Sequence, residues 1–307
     1  MQVFSTIIPI FGVVFLGWFA RKKGFIPEEF IGPANRLVYY LAIPALIFRA
    51  VAKASFRSDF NPTVLLVTIL SALLAYLSAW LIGRRISWPP GRIGAFIQCA
   101  GHGNHGYIGL PVAFYFLGES GLAKTSILAS FLFILQNGLS VMVHQTYSVT
   151  PDASKGRFRL VIGKLSRNPI IVSALLGLIV SLLAVPIPTP FQRFLEIMSG
   201  LAPPMSLLLI GTSVSLTVMR RNLYSVLGAV CIKIIALPTL GLGLFTALGV
   251  PPSDYLPSLI LLATPTATVA YVMSREMQGD AQFAGAAIST STLFSALTYL
   301  FWLTVIS

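Results

Sequence analysis

Four glycines, an asparagine and two histidines fall within nine residues of an otherwise apolar stretch, Gly101-His102-Gly103-Asn104-His105-Gly106-Tyr107-Ile108-Gly109, with Leu110 and Pro111 following. A lipid-facing helix gains nothing from this composition, because glycine loosens the backbone and the polar side chains lose their water. An opening lined by protein or water can use it. The Asn104 amide donates and accepts at once, and His102 and His105 can take or release a proton near neutral pH. Two histidines without a neighbouring cysteine or acid make a poor zinc site, so neither a metal nor a cofactor is expected. Pro111 lacks an N–H and fits best at the start of a new helix. The stretch therefore reads as a half-helix to about Gly101, unwound backbone from His102 to Leu110, and a second half-helix. Gly101, Gly103, Gly109 and Pro111 shape the break, while Asn104, His105, Gly106 and Tyr107 are the ligand-facing candidates.

Leu261-Leu262-Ala263-Thr264-Pro265-Thr266-Ala267-Thr268 repeats the theme. Pro265 deletes a backbone hydrogen bond, Thr268 is placed to cap a following half-helix, and Thr264, Thr266 and Thr268 can donate to a ligand, with Ala267 shaping the break between them. Freed backbone groups inside a bilayer are costly unless protein or a wet cavity receives them. The two interruptions are accordingly expected to meet around a substrate. Lys233 lies inside another apolar segment, where a charge costs on the order of 3 kcal/mol at mid-bilayer. It joins His102, His105 and Gln98 as a candidate for coupling or substrate attraction, whereas Gln136 and Asn137 read as polar packing and His144 as structural.

The elements that must carry these groups follow from composition. The chain has 307 residues, of which 56% are hydrophobic and 10% charged, with a mean hydropathy of +0.84. Soluble domains are about a quarter charged, so a soluble enzyme is excluded. With ~20 apolar residues needed per span, the sequence divides into ten segments near 4–20, 34–54, 62–83, 92–117, 122–147, 168–186, 191–217, 222–249, 255–277 and 281–305. The net charge of +12 does not indicate nucleic acid, because the acids and nearly all the bases lie between or at the ends of segments. Cys99 and Cys231 both fall within segments, which argues against a disulfide framework. Tyr39, Tyr40, Trp80, Trp88 and Trp302 read as interface anchors, and Lys155 to Arg167 as a membrane-surface segment.

Arg21-Lys22-Lys23 close the first segment with no basic residue before it, which argues against a signal peptide and makes the first loop cytoplasmic. Alternation then places fifteen of the 21 Lys and Arg on that side. Arg49, Lys53, Arg57, Lys124 and Arg193 fall on the other, and Lys233 stays inside. This bias supports ten spans in the cell (inner) membrane with both termini on the outer side. The polar stretch from Ser148 to Arg159 divides the chain into residues 1–150 and 151–307, five spans each. An odd number forces the second half to insert upside down, a common construction of secondary transporters. Pro44 and Pro204 interrupt counterpart segments 160 residues apart, and Gly118 and Gly279 close counterpart segments 161 residues apart. The expected fold is an all-α polytopic membrane protein, a 5+5 inverted repeat in which broken helices four and nine cross. Their second halves would aim two electropositive N-termini at the crossing point, which favours an anion.

Asn104-His-Gly-Tyr107-Ile-Gly109-Leu-Pro111 resembles the N-x-G-Y-x-G-L-P segment of the auxin efflux carrier family, which includes plant PIN-FORMED carriers and bacterial malonate-type permeases and is related in fold to bile acid:sodium symporters. Ala263-Thr-Pro265-Thr-Ala267, Ser291-Thr-Leu-Phe-Ser295, Pro203-Pro-Met-Ser-Leu-Leu-Leu-Ile-Gly211 and Asn168-Pro169 agree with it. His102 and His105 around Asn104, and a third segment without a carboxylate, depart from it. The resemblance implies a scaffold of helices one, two, six and seven that often pairs two protomers into a homodimer. Helices three to five and eight to ten would form a transport unit that moves like an elevator, with a small organic anion at the crossing and a proton or sodium as possible coupling ion. The alternatives are a sodium-coupled bile-acid-like symporter and a non-transporting receptor on the same fold. A Ser-His or His-x-x-Glu-His arrangement for hydrolysis and a phosphate-binding loop for ATP are both lacking.

Overall fold

The computed structural model describes residues 2–53, 60–147 and 168–306. The Ser148–Arg159 stretch, the basic run to Arg167 and Arg57 lie outside them. Every regular element among the described residues is helical: α1 (Gln2–Lys22), α2 (Glu28–Lys53), α3 (Pro62–Gly83), α4 (Pro90–Gly101), α5 (His105–Thr146), α6 (Pro169–Leu182), α7 (Thr189–Ser213), α8 (Leu216–Ala247), α9 (Pro252–Leu262), α10 (Val269–Glu276) and α11 (Ala281–Ile306). Seven of them, α1, α2, α3, α5, α7, α8 and α11, are long and apolar enough to cross a membrane. Their outer faces carry exposed Phe4, Ile8, Phe15, Leu66, Leu77 and Leu297, as lipid contact requires.

Local chemistry explains where these helices begin. Asn61 and Asn168 each stand before a proline and accept a backbone N–H of the first turn, so the capping side chain and the preset φ of proline cooperate. Ser215 caps α8 in the same way, and Asp280 Oδ1 accepts the Phe283 N–H of α11.

Three helices widen for one turn, at Val38–Ala42 in α2, His105–Gly109 in α5 and Ile232–Ala236 in α8. In each the turn ends two residues before a proline, Pro44, Pro111 or Pro238. The last N–H before that proline reaches back five residues: Ile43 to Val38, Leu110 to His105 and Leu237 to Ile232. Proline has no N–H and its ring crowds the carbonyl four residues earlier, so the turn ahead of it opens.

Two helices are broken. At 42 residues, α5 would run about 63 Å if straight, twice a hydrocarbon core, and it turns at Gly118 (φ 70°). Gln278 adopts a similar φ of 60° between α10 and α11, 160 residues later. The second break divides α7 at Leu201, just before Pro203-Pro204.

Packing relies on close approach. At Gly17 and Gly211, α1 and α7 touch, and a Cβ at either would strike the backbone of the other helix, at Leu208 or Val14. This is the small-residue contact by which membrane helices associate. In the same manner α2 packs on α6, where a Cβ on Gly177 would stand 3.1 Å from the Phe48 carbonyl.

Polar groups collect at helix ends. Arg49, buried at the end of α2, pairs with Glu119 beside the Gly118 break and with Glu196 of α7 at 3.3 Å. The Asn61 amide donates to Asp254 at 3.0 Å, and Arg92 faces Asp280 at 4.0 Å. Arg84 lies over Trp80 and Arg92 over Trp88. Trp302, expected as an interface anchor, is instead buried, and its indole N–H donates to the Ile234 carbonyl at 3.0 Å inside the bundle.

Candidate functional site

The two interrupted stretches lie against each other. As expected, α4 stops at Gly101, but only His102, Gly103 and Asn104 leave the helix, and the chain winds again from His105. The expected unwound run to Leu110 is thus three residues long. Its remainder is taken up by the wide turn that Pro111 imposes. These three residues pair antiparallel with the segment around Thr266: Asn104 N–H donates to the Pro265 carbonyl at 2.8 Å, and Ala267 N–H to the His102 carbonyl at 2.9 Å. Each break thereby satisfies backbone groups of the other, which is how irregular backbone is tolerated at membrane depth.

Side chains of α3, α5, α8 and α11 complete the junction. On α5, Gln136 Oε1 accepts the Gly103 N–H at 3.1 Å and meets His105 Nε2 at 2.9 Å. His105 Nδ1 faces Thr264 Oγ1 at 3.3 Å, and that hydroxyl donates to the Leu261 carbonyl at 2.6 Å. Ser140 Oγ lies 2.9 Å from His102 Nδ1 and 3.0 Å from the Tyr76 hydroxyl of α3. Ser291 of α11 receives the Thr266 N–H at 3.0 Å, and Thr266 Oγ1 donates to the Cys99 carbonyl at 2.9 Å. Lys233 is fully buried, and its Nζ donates to the Leu262 carbonyl at 2.9 Å.

Gly103 is the position where these groups crowd. A Cβ there would meet the Thr264 hydroxyl, the His105 ring at 2.6 Å and Lys233 Cε at 3.1 Å. Gly101 is pressed in the same way by the Tyr76 ring, and Gly109 by Leu261 and Thr264 at 3.0 Å. Asn104 Oδ1 accepts the Tyr107 N–H at 3.3 Å and caps α5, while its Nδ2 is buried without a partner. An orphaned donor at this depth is expensive unless something is meant to receive it.

The structure therefore gathers His102, Gly103, Asn104, His105, Lys233, Thr264, Pro265, Thr266 and Ala267. Gly101, Gly109 and Pro111 flank this junction, and the other candidates lie away from its centre. Gly106 faces Phe133, Ile43 and Ile170, and the half-buried Tyr107 donates its hydroxyl to the Asn35 carbonyl of α2 at 3.4 Å. Gln98 sits a turn before Gly101, bonded to His144 at 2.7 Å and to Met273. Thr268 stands before α10 in a helical conformation and makes no side-chain cap, because its backbone has already entered the turn. Gln136, Ser140 and Ser291 are the residues that sequence reading underrated. Each is one polar side chain on a long apolar helix.

Comparison with known proteins bears on what such a junction serves. The family described as "Membrane transport protein" matches residues 2–149 and 154–303, nearly the whole chain. The chain belongs to this auxin-efflux-carrier-like family of membrane transporters. Over 305 residues, 97% of the chain and 93% of the relative, it is 25% identical to a "Putative malonate transporter" of Rhizobium meliloti (strain 1021). It is 24% identical over 97% of both chains to an "Uncharacterized transporter" of Methanocaldococcus jannaschii. A third relative, from Methanothermobacter thermautotrophicus, is 22% identical over 98% of both. The Asn104–Pro111 stretch and the Pro265 segment thus belong to a multi-pass membrane transporter and not to an enzyme.

Proposed function

We propose that this transporter is a secondary carrier for a small organic anion such as a carboxylate, bound where the Asn104 and Pro265 segments meet. The observation that carries the reading is the backbone pairing of Gly103 with Thr266 beside the unpartnered Asn104 Nδ2. Two helices, α5 and α10, start immediately after the paired stretches, so both direct their electropositive ends at the junction. Among the described residues every acid stands near a helix end or near a break within a helix, and none opposes an anion at the junction. The malonate named for one relative is a substrate of this class.

The finer architecture is part of the same proposal. In it, ten spans form two inverted halves, residues 1–150 and 151–307, with both termini outside the cell membrane. The 160-residue separation of Gly118 and Gln278, both at positive φ, supports the repeat. So does the pairing of α1 with α7 and of α2 with α6, which exchanges under it. The scaffold comprises α1, α2, α6 and α7 and joins a second protomer, while the remaining helices carry the substrate as an elevator.

The test is a thermal-shift screen of purified protein against mono- and dicarboxylates, followed by flux in proteoliposomes. A ligand at a hundred times its Kd stabilises the fold by about 2.7 kcal/mol. A panel without one stabilising carboxylate would sink the reading.

A further inference from the structure

Among the described residues, no acid stands beside Lys233. Its side chain is wholly buried in the wide turn Ile232–Ala236, and its Nζ donates to one neutral group, the Leu262 carbonyl at 2.9 Å. The turn is packed by α3, α4 and α11. The titratable groups on these elements and at the junction are Tyr76, Arg92, Cys99, His102, His105 and Tyr299, and none is negative at neutral pH. Acids of the described residues, such as Glu119 beside the Gly118 break and Asp254 and Asp280 at helix ends, are engaged with Arg49, Asn61 and Arg92. A buried ammonium with no counter-ion is heavily penalised. That penalty is relieved when Lys233 is a neutral amine, which still donates to Leu262.

We propose that Lys233 binds a proton and the substrate carboxylate together, so that the carrier moves an anion and a proton in the same direction. This deepens the proposed function and rests on it. The neutral amine takes one proton from water on the loading side, and the resulting ammonium pairs with the carboxylate. On the far side the carboxylate leaves and the ammonium returns its proton to water. Lys233 lies where this requires, since its Cε and the His105 ring both crowd the space above Gly103, between the two paired stretches. The loaded carrier then bears no net charge from the pair, and the empty carrier bears none either. One lysine sets one proton per substrate molecule.

Calorimetry of the purified wild-type protein with acetate, malonate and succinate tests this at pH 8.5, in two buffers of different ionisation enthalpy. The expected result is uptake of one proton per anion bound, with Kd rising tenfold per pH unit between pH 8 and 9. Lys233→Gln is expected to weaken binding at least tenfold and to abolish the pH dependence. Should that variant not fold, the wild-type calorimetry decides alone. His102→Gln and His105→Gln are expected to keep the uptake of one proton. Binding without proton uptake, or loss of uptake in either histidine variant, overturns the role of Lys233 and leaves the anion site standing. Absence of binding by all three anions overturns both.

Discussion

His105 and Gln136 are joined at 2.9 Å, and the Gly103 backbone fixes the sense of that bond. Gln136 Oε1 also receives the Gly103 N–H at 3.1 Å. A backbone N–H can only donate, so the amide oxygen must face it, and the His105 nitrogen sharing that oxygen must carry a proton. In neutral His105 the proton therefore sits on Nε2, and Nδ1 is the free base toward Thr264.

Gln136→Leu removes the acceptor of both donors. At about 1–3 kcal/mol for each buried group left unpaired, we expect a fall in Tm of several degrees, read by thermal unfolding in detergent. Gln136→Glu keeps the oxygen and is expected to fold, yet it brings a negative charge to the junction. Carboxylate affinity should fall at least tenfold in that variant.

Asn104→Ala deletes both the α5 cap and the unpartnered Nδ2. The lost cap costs about 1 kcal/mol, too little to unfold the protein. Flux in proteoliposomes is expected to fall at least a hundredfold while the protein stays monodisperse, and wild-type flux in this variant would remove Asn104 from the site.

Gly103→Ala places a methyl group 2.6 Å from the His105 ring and 3.1 Å from Lys233 Cε. Such contacts force the paired stretches apart, so flux and Tm should both drop. Gly138→Ala, on α5 with nothing within 4 Å of its would-be Cβ, is expected to leave flux unchanged and raise stability slightly, since alanine favours helix by up to about 1 kcal/mol.

Arg49 is buried while its partners Glu119 and Glu196 are more than half exposed. Glu119→Gln or Glu196→Gln alone still leaves Arg49 one carboxylate, and we expect a small change in Tm for each. The double variant strands a buried guanidinium and should lose more than the two single losses combined. Additive losses would show that the two pairs act independently.

Much of the fold was legible because it depends on local chemistry. Helix starts at Asn61 and Asn168 follow from a capping amide before proline, and the end of α4 follows from the glycines after it. The three widened turns were legible in principle, since each precedes a proline by a fixed interval. None of them was anticipated, and at Pro111 glycine density suggested a longer unwound run than the three residues that leave the helix. Trp302 was misplaced for a different reason. A tryptophan near a helix end suits an interface or a buried partner equally well, and only the neighbouring Ile234 carbonyl decides between them.

From the sequence alone came the membrane class, the two interruptions and the charges at helix ends, because hydropathy, the missing N–H of proline and the cost of an unpaired charge act within one segment. Tertiary structure alone decided which groups meet. Gln136 lies 33 residues from Gly103, Ser291 25 from Thr266, and Leu262 29 from Lys233. Nothing local distinguishes these residues from ordinary helix polar groups. Their partners are set by how separate helices pack, since a backbone group freed by one break can be satisfied only by what the fold brings beside it.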